Sequence, residues 1–569
     1  MAKPIYVAAI DFGTTYSGYS FSVSEPGTEP KDVKIFSNQI WHAGTGNMAS
    51  LRTPTCLLLS KDRKLTVFGY EAEEKYADIV LEGKVDDYYF FHRFKMHLHN
   101  KENITLNMVL KDVRGQPLPA IDVFSLSIKA LKDHLDKTVR IQNNVLDDRT
   151  TKWVLTVPAI WTDTAKQFMR KSAEQAGISR DMLTIALEPE AASMYCQTFP
   201  SPGCKEIMEI GSRYMVVDLG GGTIDVTVHE KNPDGTLKEV TKASGNGCGG
   251  TSIDNEFIQL FDSIFEGSFM KSLKSEFPES YLFLLRNIDN IKKVFQPEQK
   301  EKVNLRFPYA LRDLCWSLYG KSIEQVINSS TQRSYIDLFT DKIRIGPMLV
   351  KSLFPTTCTT IISVIQSVLQ QERVPNISTI LLVGGFSECK MIQNAIVTAF
   401  PNLNIFVQED PALVVLKGAV LFGYKPDFIS SRISRYTYGI RVKLPFDETI
   451  HDRERKQMFE GKTYCNNIFK PFMNINTRIP LGHTIEKLYT THSKSGCLYQ
   501  VYYTDRENVK YTDTGECTEM GKINIHFQNP DCKKRQMKVV FNFGDTELSV
   551  TVVDLEEKTE EREFFEIQR

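Results

Sequence analysis

The chain has 569 residues and a mass of 64.9 kDa, which is too long for a single hydrophobic core and predicts two or more domains. Its formal net charge of −1, with 24% charged residues, gives no footprint for a nucleic acid and no polybasic membrane signal. Eleven cysteines occur singly without a CxxC pair, which favours a reducing compartment and a cytoplasmic location.

The N-terminal residues enter a predicted strand almost at once. The sequence MAKPIYVAAIDFG has neither the long apolar core nor the cleavage site of a signal peptide. We also expect no transmembrane segment, because no apolar run approaches the length that a bilayer span needs.

The first predicted element is a hairpin. Residues 7–10 read as a buried strand and residues 19–23 as its alternating partner. In the turn between them, backbone N–H groups and hydroxyls can bind an anion, and the acid at the strand end can hold a metal through water. A polyphosphate with Mg²⁺ requires this chemistry, although such a turn alone is more often a plain hairpin. The turn residues are Asp11, Gly13, Thr14 and Thr15.

Two segments with candidate charged site residues follow. The segment DDYYFFHRFKMHLHN is predicted as an aromatic and basic helix or loop, in which a solvated face explains Arg93 and Lys95. A helix over residues 122–139 and a strand ending at Pro158 come next. Glu188 then opens a helix in EPEAA, where a carboxylate serves either as a helix-start device or as a water-positioning acid.

A second hairpin repeats the design of the first. The sequence MVVDLGGGTIDVTV again places an acid, a Gly and Thr turn and a returning strand in series; the turn residues are Asp218, Gly220, Gly221, Gly222 and Thr223. Two such hairpins far apart in one chain indicate a duplicated, two-lobed α/β fold that holds a nucleotide's phosphates between its lobes.

Three further features lie between this hairpin and Tyr424. Clustered glycines, including Gly249 and Gly250, precede a helix and can cradle phosphate, though many such clusters are only tight turns. A predicted helix over residues 281–295 carries two adjacent lysines. A later strand ends in two glycines, where bare backbone can approach a ring or a sugar. These pairs are Lys292 and Lys293, and Gly384 and Gly385.

The hydrophobic pattern of the sequence changes beyond Lys425. Short alternating runs such as YTYGIRVKL, CLYQVYYTD and MKVVFNF replace the helical patterns, which predicts an all-β sandwich. We place the boundary near residues 425–435, so that residues 1–425 form the nucleotide-binding domain and residues 426–569 a β-sandwich that binds a peptide or partner.

These motifs resemble a known family. The segments DFGTTYSG, VLTVPA, EPEAA, DLGGGTIDV, GGTSIDN and LLVGG occur in the order found in the nucleotide-binding domain of the 70-kDa heat-shock proteins, members of the actin-like ATPase superfamily. The β-rich tail resembles that family's peptide-binding sandwich. VGGFSE in place of the usual VGGSTR resembles the divergent class-twelve branch.

The resemblance implies an ATP or ADP site with Mg²⁺ and a monovalent ion such as K⁺. Asp11, Asp218 and Asp225 would place the ions, mostly through water, and Glu188 would orient the attacking water, with Thr223 bonding the terminal phosphate. The nucleotide contacts implied are Gly13, Thr14, Thr15, Tyr16, Gly220 to Thr223, Gly249, Gly250, Lys292, Lys293, Gly384 and Gly385.

Four departures from the family pattern bear on function. The lysine expected near the γ-phosphate is displaced, so that Arg93 or Lys95 substitutes or nothing does. Glu388 and Phe386 replace the adenine-stacking arginine and its neighbouring serine. The linker PDFISSRIS lacks a leucine-rich run, and the sequence after the sandwich is too short for a helical lid.

Two functions remain open at this point. One is an ATP-binding chaperone-type protein with slow hydrolysis, whose β-domain binds extended peptide or a protein client by strand-type hydrogen bonds. The other is a nucleotide-gated adaptor without meaningful turnover. An actin-fold small-molecule kinase is disfavoured, because no residue suggests an acceptor-sugar base.

Overall fold

The computed structural model of the chain describes residues 5–25, 27–37, 41–43, 48–99, 104–141, 146–147, 150–265, 267–306, 308–340, 342–374, 376–459, 461–493, 495–528, 534–543, 545–557 and 559–563. The last residues of EFFEIQR, on which the expected absence of a lid partly rests, lie outside these ranges. We name three regions: the first lobe (residues 5–198), the second lobe (residues 213–424) and the β-region (residues 429–563).

The first lobe is an α/β unit. Its elements are β1 (Ile5–Phe12), β2 (Tyr16–Ser24), β3 (Ile35–Ser37), β4 (Trp41–Ala43), β5 (Met48–Ser50), β6 (Thr53–Pro54), β7 (Cys56–Ser60), β8 (Thr66–Phe68), α1 (Tyr70–Leu81), β9 (Tyr88–His92), β10 (Val109–Lys111), β11 (Pro117–Pro119), α2 (Ala120–Ile141), β12 (Thr151–Val157), α3 (Asp163–Gln175), β13 (Leu183–Leu187) and α4 (Glu188–Thr198).

The second lobe is also α/β. Its elements are β14 (Arg213–Leu219), β15 (Ile224–Lys231), β16 (Leu237–Asn246), α5 (Gly250–Phe265), α6 (Phe269–Glu276), α7 (Pro278–Val294), β17 (Val303–Arg306), α8 (Ala310–Tyr319), α9 (Ile323–Ser329), β18 (Ile336–Leu338), β19 (Lys342–Ile345), α10 (Pro347–Lys351), α11 (Pro355–Leu369), β20 (Thr379–Val383), α12 (Lys390–Ala399), β21 (Asn404–Val407) and α13 (Pro411–Tyr424).

The two lobes are built around sheets of the same topology. The strand order is β13-β12-β1-β2-β3 in the first lobe and β21-β20-β14-β15-β16 in the second, where β22 and β26 of the β-region extend the sheet. In each sheet an antiparallel hairpin comes first, and later strands add in parallel beside its first strand. The repeat confirms the two-lobed α/β fold expected from the duplicated hairpins.

Helices bury both faces of the first sheet and join it to the second. Ala8 and Ile10 face one core, whereas Val7 and Ala9 face another that also contains Val216 of the second lobe. Helices α4 and α13 pack against each other within this shared core. The lobes therefore meet along their inner helices, and a cleft opens where the hairpin strands end, the usual place for a ligand in such sheets.

The β-region is all-β among the described residues, apart from a short 3₁₀ turn at Arg453–Arg455. Its strands are β22 (Ile429–Ile433), β23 (Thr437–Pro445), β24 (Lys456–Phe459), β25 (Lys462–Met473), β26 (Arg478–Pro480), β27 (Thr484–Thr491), β28 (Gly496–Thr504), β29 (Thr518–His526), β30 (Arg535–Asn542), β31 (Ser549–Asp554) and β32 (Thr559–Glu563).

Two sheets of the β-region pack face to face. A five-stranded sheet, β24-β25-β23-β28-β29, covers a four-stranded sheet, β27-β30-β31-β32. Ile440 and Val501 of one sheet share a core with Val539 and Val550 of the other. This packing is the expected β-sandwich. Because β22 and β26 belong to the sheet of the second lobe, the domain boundary at residues 425–435 stays a prediction.

Two segments differ from the sequence analysis. Residues 88–92 form strand β9, which pairs with β7, instead of a helix or loop, because alternate aromatic side chains there face opposite sides of a small sheet. The stretch Pro347–Leu369 is an exception to the expected absence of long apolar runs, with a mean hydropathy of 1.5. It is weak evidence for a membrane span, since Ile361 and Ile365 are fully buried in the second lobe.

Candidate functional site

The two acid-Gly-Thr hairpins meet across the cleft between the lobes. The cleft encloses about 830 Å³, including its part open to solvent. The residues predicted from sequence that line it are Asp11, Gly13, Thr14, Thr15, Tyr16, Lys95, Glu188, Asp218, Gly220, Gly221, Gly222, Thr223, Gly250, Lys292, Lys293, Gly384 and Gly385.

Close contact between the two turns depends on glycine. A Cβ atom on Gly221 would lie 2.4 Å from Oγ1 of Thr15, and one on Gly222 would lie 2.7 Å from Oγ1 of Thr14. Real Cβ atoms do not approach that closely, so a side chain here would push the threonines of the opposite lobe aside. The glycines therefore let the backbones of both turns face the same small volume, where their N–H groups can bind phosphate oxygens.

Lys95, rather than Arg93, reaches the cleft. Arg93 has a left-handed backbone (φ 53°), and its guanidinium turns away to Asp254, with Nη1 2.8 Å from Oδ2. A short 3₁₀ turn starts at the next residue and carries Lys95 inward, where Nζ lies 2.9 Å from Oε1 of Glu188. The Lys95 side chain also lies over the ring of Trp161.

Two other predicted residues lie just behind the lining. Gly249 packs on the second turn, since a Cβ there would lie 2.7 Å from the carbonyl oxygens of Gly220 and Gly221. Asp225 accepts a hydrogen bond of 2.8 Å from the backbone N–H of Ile160 through Oδ1, while its buried Oδ2 has no hydrogen-bond partner in the described structure.

Four carboxylates lie close together at the end of the cleft formed by the two turns, which we name the phosphate end. Burial raises the pKa of Glu188 to about 7; Lys95 opposes that shift, and Asp11 and Asp225 add to it. Burial also raises the pKa of Asp218 well above its ordinary value, and repulsion by Glu188, Asp225 and Asp11 adds to this effect. Among the described residues that line this end of the cleft, the acids outnumber Lys95, and a bound cation would offset the excess of negative charge.

The donor set fits a hydrated Mg²⁺ better than a directly coordinated metal. Among the described residues, no three His, Cys, Asp or Glu side chains are close enough to hold an ion together. Mg²⁺ usually keeps several waters and binds through one or two carboxylates plus phosphate oxygens. Asp11 is held ready for this role by a 2.7 Å hydrogen bond from Oγ1 of Thr156 on the neighbouring parallel strand.

The opposite end of the cleft, around Lys292 and Gly384, is named the nucleoside end after the sequence prediction. It contains buried ion pairs. Lys292 Nζ lies 2.5 Å from Oδ1 of Asp254 and 3.2 Å from Oδ1 of Asp289, and it donates to the carbonyl oxygen of Gly250 at 3.1 Å. Burial alone would lower the pKa of Lys292, but the two aspartates outweigh it and raise that pKa. Lys292 therefore stays charged and holds the helices α5 and α7 together.

The mouth of the cleft carries an ion pair and an aromatic ring. Glu388 pairs with Lys293 at 3.2 Å, and both side chains are about one-third exposed. The ring of Phe386 lines the cleft beside Gly250. Gly384, with φ 83°, makes the turn that brings this segment to the cleft; a Cβ there would meet Oδ1 of Asp218 at 2.2 Å.

Sequence reasoning missed several residues of the site, among them Arg52, Asp289 and Thr156. Arg52 and Asp289 line the cleft, and Thr156 positions Asp11. Asp289 had a usable signal, because an acid three and four residues before Lys292 and Lys293 on a helix predicts ion pairs. Arg52 and Thr156 had no local signal, since their neighbours in the site come from distant parts of the chain.

Comparisons with known proteins identify the family of the chain. A family model described as Hsp70 protein matches residues 95–454. Heat shock 70 kDa protein 12B of Homo sapiens is 31% identical, over 96% of this chain and 89% of that protein. Heat shock 70 kDa protein 12A of Mus musculus is 29% identical, over 97% and 90%. The chaperone protein HscA homolog of Rickettsia typhi is 26% identical, over 57% and 43%. The chain therefore belongs to the Hsp70 family, in its divergent class-twelve branch.

Proposed function

We propose that this chain is an ATP-binding, chaperone-type protein that hydrolyses ATP slowly and couples the bound nucleotide to the binding of a peptide or protein partner. The observation that carries the proposal is the cleft, in which two hairpins of one design meet beside the buried Lys95. Membership of the Hsp70 family supports an adenine nucleotide as the ligand.

The turn residues divide the work of phosphoryl transfer. The backbone N–H groups of both turns and the hydroxyl of Thr223 bind the phosphates, and Lys95 offsets charge on the terminal phosphoryl group. Glu188, when ionised, accepts a hydrogen bond from the attacking water and orients it. Phosphoryl transfer depends chiefly on such positioning and charge neutralisation. Because Lys95 already holds Glu188 and burial raises the pKa of that carboxyl to about 7, we expect slow turnover.

Asp11, Asp218 and Asp225 would hold Mg²⁺ through water, and a monovalent ion such as K⁺ beside it. Bound Mg²⁺ would supply charge neutralisation at the phosphate oxygens. The chain itself contributes the excess of carboxylate over lysine described above. This negative charge attracts a cation.

Residues 159–161, which we name the connecting segment, link the phosphate end to the β-region and support the proposed coupling. On one side of this segment, Ile160 donates its N–H to Asp225, and the ring of Trp161 lies under Lys95. On the other side, Arg435 Nη1 donates to the carbonyl oxygen of Ala159 at 2.9 Å. A change in charge at the cleft therefore has a short physical path to strand β23.

A second contact holds the β-region against the first lobe. Arg170 donates from Nε to Oε1 of Glu547 at 2.8 Å, and both side chains are buried. Thr546 Oγ1 donates to the carbonyl oxygen of Ile185 at 2.6 Å. Separating the two members of a buried ion pair leaves each charge without a partner, which is costly. Small movements of the β-region against the first lobe should therefore change the stability of this contact.

Nucleotide binding and turnover are tested together. Thermal melts with MgATP, MgADP and MgGTP report binding, since a ligand specific to the folded state stabilises it by about 2.7 kcal/mol at a hundred times its Kd. ATP consumption is then measured with and without a panel of extended peptides. Asp11→Asn serves as the control that should lose Mg²⁺-dependent binding. No shift with any adenine nucleotide at millimolar concentration would overturn the proposal, and binding without turnover would restrict it to an adaptor.

The coupling is tested at the connecting segment. Arg435→Ala should leave nucleotide binding intact but reduce the difference in peptide affinity between the MgATP and MgADP states. Arg441→Ala is the matched control, because Arg441 is an exposed arginine on strand β23, which begins two residues after Arg435. Equal nucleotide dependence in both variants would count against this path.

The domain boundary is a separate proposal. We expect limited proteolysis to cut within residues 425–435 and leave two folded pieces. Because β22 pairs with the sheet of the second lobe, cutting should be slow while the β-region stays in place. First cuts inside β23 to β31 would show that the boundary is misplaced.

A further inference from the structure

Arg52 differs from the other basic side chains at the cleft. Lys95, Lys292, Lys293 and the more distant Arg93 each form an ion pair with an acidic side chain. Arg52 lines the same cleft, yet no carboxylate of the described residues lies within 4.0 Å of its guanidinium. An arginine in a cleft that carries this much negative charge, and that is not used by an acid, is available to a ligand.

The side chain of Arg52 is placed by contacts within its own lobe. Its stem runs along strand β2, since a Cβ on Gly18 would lie 3.4 Å from Cγ of Arg52. Its guanidinium carbon lies 5.6 Å from the centre of the Tyr16 ring, which follows the first phosphate turn. These contacts direct the planar end of the side chain into the cleft, where it is only partly exposed.

The guanidinium reaches the opposite lobe at the nucleoside turn. A Cβ on Gly385 would lie 2.7 Å from Nη2 and 3.2 Å from Nη1 of Arg52. The backbone of Gly385 and the ring of Tyr16 therefore flank the guanidinium from two lobes. The planar guanidinium can stack against a flat aromatic ligand that lies in the cleft beside Gly385.

We propose that Arg52 is a base-stacking residue of the nucleotide site, and that it supplies the cation that the paired Lys293 and Glu388 do not. This inference rests on the proposed nucleotide-binding function. The ligand class is a purine nucleotide whose base lies against the guanidinium, beside Gly385. Because Arg52 belongs to the first lobe and Gly385 to the second, a stacked base also holds the two lobes together.

The test measures the affinity of three probes for the full chain: MgADP and Mg-pyrophosphate by calorimetry, and adenosine by ligand-observed NMR. Arg52→Ala should weaken MgADP and adenosine by a similar factor, about tenfold, and leave pyrophosphate unchanged. Arg52→Lys, which keeps the charge but not the plane, should recover only part of the loss. Arg140→Ala is the matched control, an exposed arginine on α2 of the same lobe. Melting temperatures without ligand check that each variant is folded.

Three results would overturn the inference. Unchanged MgADP affinity in folded Arg52→Ala would remove Arg52 from the site while leaving the proposed function intact. Loss for MgADP and pyrophosphate, with adenosine unaffected, would make Arg52 a phosphate contact and exclude stacking. A wild-type chain that binds none of the three probes would instead overturn the proposed function, and this inference with it.

Discussion

The two ends of the cleft have opposite charge balances. At the phosphate end, Lys95 is the cation that lines the described cleft, and it lies among Asp11, Glu188, Asp218 and Asp225. At the nucleoside end, Asp254, Asp289 and Glu388 are each paired with a lysine or arginine, and Arg52 adds one more cation.

The two ends therefore differ in what determines ligand binding. Net charge dominates at the phosphate end, and preformed geometry dominates at the nucleoside end. Buried acids that repel each other destabilise the folded chain until a cation or a charge-neutralising ligand offsets them. Buried pairs that are complete hold their geometry before any ligand arrives. We therefore expect the phosphate end to control metal dependence and rate, and the nucleoside end to control base preference and release.

The largest effect is expected from Lys95→Ala. Losing the ammonium of Lys95 should lower the single-turnover rate of ATP hydrolysis by about 10²- to 10³-fold, because charge on the terminal phosphoryl group is no longer offset. MgADP affinity should fall much less. Arg93→Ala removes the same charge from outside the cleft and should change the rate only a few-fold. A collapse in Arg93→Ala with a normal rate in Lys95→Ala would reverse the assignment of the two residues.

Asp218→Asn should weaken ligand binding and stabilise the metal-free protein at the same time. Its raised pKa means that the ionised carboxylate is disfavoured in the folded state, so the neutral amide should raise the metal-free Tm at pH 7 by about 1–3 °C. Most of the stabilisation by MgADP, about 2.7 kcal/mol at a hundred times Kd, should be lost. Glu298→Gln, at an exposed site of the second lobe, is the control. A lower metal-free Tm in folded Asp218→Asn would contradict the proposed repulsion.

The rate of hydrolysis should depend on pH through Glu188. Below about pH 7 the ionised fraction falls towards tenfold per unit, and the rate should fall with it, since only the carboxylate orients the water. The sign for stability is opposite: with a folded pKa above the ordinary 4.5, Glu188 favours the fold at low pH and loses this contribution as pH rises through 7. Glu188→Gln should give a low rate without this inflection, and an unchanged profile would remove Glu188 from the chemistry.

Glu388→Ala should have the smallest effect. The pair of Glu388 with Lys293 is about one-third exposed, so its loss should change the free energy of unfolding by no more than about 1 kcal/mol. Freed Lys293 should raise MgADP affinity by less than about fivefold, as measured by calorimetry. The matched Lys293→Ala should lower the affinity or leave it unchanged, and a gain in that variant would show that the pair itself blocks the ligand.

Several expectations stay predictions. The cytoplasmic location, the domain boundary and the roles of individual site residues await the measurements described above. Family and fold class are confirmed, by 31% identity to heat shock 70 kDa protein 12B over most of both chains and by the repeated sheet topology. The helix-or-loop prediction for residues 88–92 is wrong, since these residues form β9.

The sequence by itself determined the features that depend on neighbouring residues. An apolar run, an acid and a Gly-Thr turn specify a strand and hairpin wherever they occur, so both phosphate turns and the strands of the β-region were predictable. Only the tertiary structure decided which distant side chains meet. Arg93 takes a left-handed backbone conformation and pairs with Asp254 of the other lobe, which leaves the cleft to Lys95. Arg52 approaches Gly385 because the shared inner helices bring the two sheets together, and no short stretch of sequence encodes that distance.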